Sequence, residues 1–257
     1  MKATTAPAPP ANAPALLDAI AASPVWHLID RWWLLGICAA SVILGIFTSP
    51  NLLLFSVLVS GVACVALAAK GNILNYIVGI YNSAAYACVS YHDHLYGEVM
   101  LNVFFFIPMG VVGFVAWKRH MEKDTKTVIM KGMTTLQALL ALAVVALITL
   151  TYGIILAHIP KQNTPYIDAF NVVLSIAATL LMVARYKEQW ILYIVLNITT
   201  VIMWIFRALN HSESAWTMIL MWSIFLANAC YGYLKWSIGT RRAKAAPATQ
   251  AQAALAT

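Results

Sequence analysis

The stretch Glu188-Gln189-Trp190-Ile191-Leu192-Tyr193-Ile194-Val195-Leu196-Asn197 carries the residues best suited to recognise a small polar ligand. Trp190, Tyr193 and Asn197 fall at i, i+3 and i+7, which places them on one face of a helix. A carboxamide inside so apolar a segment needs an internal partner, because an unpaired amide in hydrocarbon costs several kcal/mol. The face reads as one wall of a binding path. Its two rings can stack on a flat heterocycle, each contact adding roughly 0.5–1.5 kcal/mol beyond area burial, and its amide can hydrogen-bond the same ligand. An interfacial aromatic anchor is the competing reading of Trp190. A partner wall is expected 115 residues earlier, where Asn75-Tyr76-Ile77-Val78-Gly79-Ile80-Tyr81-Asn82 again sets carboxamides seven residues apart. For Asn82 and Asn75 the alternative is hydrogen-bonded glue between helices.

Asn102, at the head of Asn102-Val103-Phe104-Phe105-Phe106, and Asn228, deep in the last apolar span, are further binding candidates, with Asn171 a weaker one. Tyr81, Tyr86, Trp204, Trp222 and Tyr231 are aromatic candidates for which core packing is the stronger reading. Ionisable groups inside a membrane usually mark ion or proton paths. Here Glu98, Asp168 and Glu188 sit near span ends and no Lys or Arg is central, so the sequence gives no support for ion coupling and excludes a retinal Schiff base. No Ser-His-Asp set, nucleotide loop or metal-ligand spacing is present, and His92-Asp93-His94 reads as a solvated loop triplet. The expectation is therefore a protein without enzymatic activity, metal or cofactor.

These residues must be positioned by membrane helices. At 62% hydrophobic and 10% charged residues, the 257-residue chain lies far from a soluble domain, which carries about 25% charged residues. The net charge of +7 is spread over short gaps between apolar spans, so it reads as a topology signal rather than a nucleic-acid patch. The four cysteines, Cys38, Cys64, Cys88 and Cys230, lie within apolar spans and read as packing residues. Spans are expected at 32–48, 51–69, 72–91, 98–117, 133–157, 166–184, 190–207 and 216–236, which makes eight transmembrane helices in an all-α membrane protein. Pro50 and Pro165 fall at helix starts, and Pro108 within a span should kink it. The Ala- and Pro-rich residues 1–31 and the tail 244–257 are expected to be disordered. The absence of a basic segment before the first span, apart from Arg31, argues against a cleaved signal peptide.

With the basic gap Lys118 to Lys131 placed in the cytoplasm, fourteen of the sixteen Lys and Arg residues lie inside, and only Lys161 and Arg207 outside. Both termini are then cytoplasmic. Laying 49–91 over 164–206 at an offset of 115 pairs Ser49-Pro50 with Thr164-Pro165, Asn75 with Trp190, and Asn82 with Asn197. At an offset of 119, Gly113-Phe114-Val115-Ala116-Trp117 meets Gly232-Tyr233-Leu234-Lys235-Trp236. The result is a 3+1+3 parallel repeat: a first three-helix bundle at 51–117, an inverting linker helix at 133–157, a second bundle at 166–236, and an extra helix at 32–48. Parallel repeats are a transporter device, with the substrate between the halves.

At these residues the chain resembles the PnuC family of bacterial vitamin transporters, which carry nicotinamide riboside. The resemblance rests on Glu188-Gln189-Trp190 with Asn197, Asn75-Tyr76 with Gly79 and Asn82, Val103-Phe104-Phe105-Phe106, and Tyr231-Gly232-Tyr233 before Trp236. It implies a fold like that of the SWEET sugar transporters. It also implies facilitated diffusion of nicotinamide riboside across the bacterial inner membrane, trapping by cytoplasmic phosphorylation, and compatibility with a homo-oligomer. The chain departs from the family at Asn102, where Gln is common, and at Val112-Gly113-Phe114, where Tyr-Gly-Trp is common; helix 32–48 is extra to the family core. Relatives in the family also carry thiamine or riboflavin, so another vitamin is the alternative substrate, and a non-transporting membrane sensor the alternative class.

Overall fold

Helix starts are written into the sequence as caps. Ser23, Asn51 and Thr134 each accept a hydrogen bond from a backbone N–H of the first turn that follows, and Thr134 with Gln137 closes a reciprocal capping box. The structure, a computed structural model, describes residues 13–49, 51–92, 96–122, 126–158, 165–209 and 215–255, except the side chains of 13, 14, 96, 207 and 244–255. Pro50, Asp93, His94, Lys161, Thr164 and the segment from Asn210 to Ser214 lie outside the described residues.

The chain is all-helical: α1 (Ala13–Ala22), α2 (Pro24–Thr48), α3 (Leu52–Ala69), α4 (Leu74–His92), α5 (Tyr96–Leu101), a π-helical turn (Asn102–Phe106), α6 (Ile107–Lys118), α7 (Thr135–Ala157), α8 (Pro165–Val183), α9 (Gln189–Leu209) and α10 (Ala215–Leu255). Seven helical stretches among the described residues are long and apolar enough to cross a bilayer, with Gly97–Lys118 counting as one. The eighth expected span corresponds to α4. It has 19 residues, but Asn75, Asn82, Ser83 and Ser90 make it less apolar, and it is not among the seven.

Two expectations change. Residues 13–22 form α1 and α2 begins at Pro24, so disorder does not extend to residue 31; Ser23 supplies the cap and Pro24 the ready-made first turn. The tail continues α10 as far as Leu255. Pro108, expected to kink its span, follows a π-helical turn. The backbone before it widens by one residue per turn, and the Ile107 N–H bonds Asn102 O, the i→i−5 pattern of a π turn.

Two turns in the chain are the same backbone object. Lys70, Gly71 and Asn72 donate to Ala66, Ala68 and Leu67 at 3.1, 2.9 and 2.9 Å; Ala184, Arg185 and Tyr186 donate to Leu180, Met182 and Leu181 at 3.0, 3.0 and 2.9 Å. The middle residue of each is left-handed, with φ of 69° at Gly71 and 68° at Arg185. Glycine takes that conformation freely, whereas Arg185 is held there by its bonds to the 129–131 segment, described below. Matching residues lie 114 apart (70 and 184), one fewer than the 115 expected from sequence. Asn75 therefore corresponds to Gln189, Tyr76 to Trp190 and Asn82 to Leu196. Isolated identities set the register of the sequence alignment, but backbone hydrogen bonds set it in the fold.

Packing repeats the same way. α3 packs on α4 and α4 on α6, while α8 packs on α9 and α9 on α10; α6 crosses to α8, and α10 crosses to α3. At both crossings a buried tryptophan donates from the last helix of one set to the end of the first helix of the other. Trp117 Nε1 bonds Met182 O at 3.0 Å, and Trp236 Nε1 bonds Ala69 O at 3.1 Å. In lipid, such polar bonds and close packing hold helices together, at about 0.6–2 kcal/mol per bond, because hydrophobic burial offers little. α2 lies against α3 as α7 lies against α8. Leu136, Leu140, Leu147 and Ile154 on α7 are each more than half exposed, as a lipid-facing helix requires.

Candidate functional site

A cavity of about 420 Å³ lies between the two helix sets, walled by residues of α3, α4, α5 with its π turn, α8, α9 and α10. It occupies the half of the bundle remote from Lys70, Arg185 and Lys187, since it takes the C-terminal halves of α4 and α9 and the N-terminal parts of α5, α8 and α10. Its polar lining is Asn82, Ser83, Glu98, Asn102, Asp168, Asn171, Ser175 and Thr200, and its rings are Tyr86, Phe106, Trp204, Trp222 and Phe225. Among the described residues, no Lys or Arg lines it.

Of the residues singled out in the sequence, Asn82 and Asn102 reach this cavity, together with Asn171. Asn82 Nδ2 donates to Val57 O at 2.8 Å and Ser60 Oγ at 2.9 Å, so α3 fixes the amide and Oδ1 is the atom left to offer a ligand. Asn102 is buried and donates to Glu98 O at 2.9 Å, which ties the π turn to the helix before it. Asn171 accepts from Thr199 Oγ1 at 2.9 Å, linking α8 to α9 along the cavity wall.

The other candidates are placed elsewhere. Tyr193 and Trp190 lie one turn and more beneath the cavity: Ser175 lines it, Thr179 Oγ1 donates to Ser175 O, and Tyr193 Oη lies 3.4 Å from Thr179 Oγ1. Trp190 is 2% exposed, with its ring against Gly232, where an added Cβ would come within 2.7 Å of the indole. Asn197 is buried next to Leu196, which lines the cavity, but is not itself in the lining. Asn75 is buried; its Nδ2 bonds Asn72 O at 2.7 Å and its Oδ1 has no partner. Asn228 lies outside the cavity lining. Its Oδ1 accepts from Trp33 Nε1 at 2.9 Å and its Nδ2 donates to Val65 O at 2.8 Å, so the amide is spent on joining α2, α3 and α10. Tyr86, Trp204 and Trp222, read from sequence as core, line the cavity instead. The signal for the α9 wall was its spacing: Leu196, Thr200 and Met203 recur at i, i+4 and i+7.

Below the cavity the bundle is closed. Tyr76, Trp117, Trp236, Trp190 and Tyr193 form a chain of rings with successive centroids 5.0, 5.7, 6.0 and 5.9 Å apart. Beyond it the 126–134 segment straps both turns. Val128 donates to Gly71 O at 3.0 Å, Lys131 to Arg185 O at 2.8 Å, and Lys187 to Lys131 O at 2.9 Å. Arg185 Nη1 reaches Ile129 O at 3.3 Å, and Met133 N donates to Glu188 Oε2 at 3.1 Å. From α2, Asp30 adds a latch. Its carboxylate takes Lys235 Nζ at 2.8 Å, Tyr231 Oη at 2.5 Å and Lys70 Nζ at 3.1 Å, joining the end of α3 to the middle of α10. Lys70 Nζ also meets the Asp30 backbone carbonyl. Among the described residues, the ring layer and the strap lie between the cavity and the end of the bundle that carries Lys70, Arg185 and Lys187.

The sequence model of the nicotinamide mononucleotide transporter family matches residues 51–238. The nicotinamide riboside transporter PnuC of Neisseria mucosa is 36% identical over 216 residues, covering 82% of this chain and 82% of its own. The Haemophilus influenzae protein of the same name is 28% identical over 214 residues, covering 82% and 91%. The crystal structure of the vitamin B3 transporter PnuC aligns at a TM-score of 0.70 and 34% identity, over 83% of this chain and 92% of that one. The matched segment runs from the cap of α3 into α10 and holds every helix that walls the cavity, and the chain belongs to the nicotinamide mononucleotide transporter family.

Proposed function

We propose that this chain carries nicotinamide riboside across the bacterial inner membrane by facilitated diffusion, with phosphorylation in the cytoplasm trapping what enters. The relatives bearing that name support the substrate, and the cavity shared by two helix sets is the observation that carries the mechanism. Its volume of about 420 Å³ suits a nucleoside, falling in the range of roughly 300–1,000 Å³ usual for small-molecule sites. Its chemistry suits a pyridinium riboside. Aromatic faces attract the cationic ring, Glu98 and Asp168 supply negative potential, and Asn82, Asn102 and Asn171 offer partners for ribose hydroxyls.

The architecture we infer is a SWEET-like pair of parallel three-helix bundles, α3–α4–α5/α6 and α8–α9–α10, inverted by α7, with eight crossings in all. α2 is the counterpart of α7. The basic end, with both termini, faces the cytoplasm, so the cavity faces outward. The two halves rock against each other, breaking the Trp117 and Trp236 bonds, to bring the solute past Tyr193, Trp190 and Asn197 to the inner side. Asn75 lies on the same route.

Uptake of labelled nicotinamide riboside into liposomes holding the purified protein tests this reading. Equilibration in the absence of any gradient is expected, with competition by excess riboside but not by thiamine or riboflavin. Uptake that depends on an imposed proton or sodium gradient would replace uniport with coupled transport.

A further inference from the structure

The cavity-lining stripes of α4 and α9 do not end at the cavity floor. On α9, Leu196, Thr200 and Met203 line the cavity, and the same face continues inward through Tyr193 to Gln189 at helical spacings of three and four. On α4, Tyr86 and Asn82 line it, and that face continues through Gly79 to Asn75. Every member of one stripe corresponds to a member of the other under the 114-residue relation of the two turns. Each stripe ends in a carboxamide.

Both terminal amides are buried without full hydrogen bonding. Gln189 is 0% exposed, and neither its Nε2 nor its Oε1 has a partner; Asn75 is 1% exposed with Oδ1 unpartnered. Beside them, Tyr76 Oη and Trp190 Nε1 are also buried and unpartnered. Buried polar atoms are nearly always paired, so a group of orphans at matching places in two repeats needs an occupant. Lipid cannot supply one.

We infer that Gln189 is a specificity residue that reads the carboxamide of the substrate in the inner half of the path, with Asn75 lining the opposite wall. The inference rests on the transport reading above. A primary carboxamide offers one acceptor and one donor in a plane, the complement of the Gln189 amide, so the pair closes with two hydrogen bonds. A carboxylate offers acceptors only: it can take the Gln189 Nε2 hydrogen but sets an anionic oxygen against Oε1. Sites built to hydrogen-bond a group discriminate strongly against an analogue that cannot match them, because their buried atoms are then left unpaired. In this conformation Gln189 is fully buried. Rocking of the two halves exposes it as the cavity empties inward.

The test is liposome uptake of labelled nicotinamide riboside by the full chain, with nicotinic acid riboside, which differs at the carboxamide, as a second labelled substrate. Wild type is expected to prefer the carboxamide by more than tenfold in rate at low concentration. Gln189→Met keeps length and removes both polar atoms; its preference is expected to fall to within about threefold, with KM for the carboxamide riboside raised about tenfold. Gln189→Glu, which can only accept, is expected to keep carboxamide uptake in part and to exclude the carboxylate more strongly than wild type. A merely structural role would lower uptake of both substrates alike and leave their ratio unmoved. An unchanged ratio in whichever variant folds, or a wild type without preference, overturns the inference. A wild type that moves neither riboside overturns the transport reading itself.

Discussion

Gly113 and Gly232 show what a single side chain decides here. Each permits a ring to lie directly on a helix backbone, Tyr76 on Gly113 and Trp190 on Gly232, and the two contacts correspond between the repeats. A Cβ at residue 232 would enter the Trp190 indole at 2.7 Å. Gly232→Ala is expected to destabilise the protein by about 1–3 kcal/mol through overpacking, read as a lower melting temperature in detergent. Asn228 makes the contrasting case. Asn228→Ala leaves Trp33 Nε1 without its acceptor and removes the tie from α10 to Val65 O, at a cost of about 1–3 kcal/mol. Melting should drop while KM for uptake stays near wild type, since the amide does not face the cavity. A change in KM without loss of stability would assign Asn228 to the path instead.

Among elements, α2 has the least obvious purpose, since the family match begins only at residue 51. Its Asp30 joins Lys70 and Lys235, which belong to different halves, with both ion pairs about three-quarters shielded from solvent. The helix therefore works as a clamp across the sealed end. Asp30→Asn removes the counter-charge of both ammonium groups, and a loss of about 1–3 kcal/mol is expected, below the 3–5 typical of a fully buried pair because the network is partly hydrated. Protease sensitivity of the 118–134 segment in detergent should rise in the variant if the clamp also steadies the strap. The π turn is a second device on this scale. Pro108 cannot donate to the preceding turn, and the extra residue accommodated there places Asn102 and Phe106 together on the cavity wall.

Over the whole molecule, the cavity lies toward one end and the ring layer and strap toward the other. In a variant freed of Cys38, Cys64, Cys88 and Cys230, a cysteine at Ser175 should react with a membrane-impermeant thiol reagent added outside intact cells. A cysteine at Ser237, buried near the strap, should not. Excess nicotinamide riboside should slow the first reaction. Labelling of residue 237 from outside, with 175 protected, would invert the proposed orientation. The same experiment reports the resting state, because rocking inward would cover residue 175.

Much of this molecule was legible from composition and spacing. Apolar runs of helical length can only be helices in lipid, because backbone groups there have no water to satisfy them. The recurrence of Gly and Trp near residues 113–117 and 232–236 falls where Tyr76 lies on Gly113 and Trp190 on Gly232, and Lys70, Arg185 and Lys187 lie at the end away from the cavity. Helical periodicity also placed Trp190 and Asn197 on one face. Depth along that face was not legible. Spacing fixes which residues share a stripe but not how far inward the partner bundle leaves that stripe uncovered, and that depends on how the halves are tilted. So the fold gave the cavity to Asn82, Asn102, Asn171 and Thr200, sank Trp190 and Tyr193 beneath it, and spent Asn228 on packing. The register of the repeat was decided in the same way, by backbone hydrogen bonds at two turns that side-chain identity alone does not reveal.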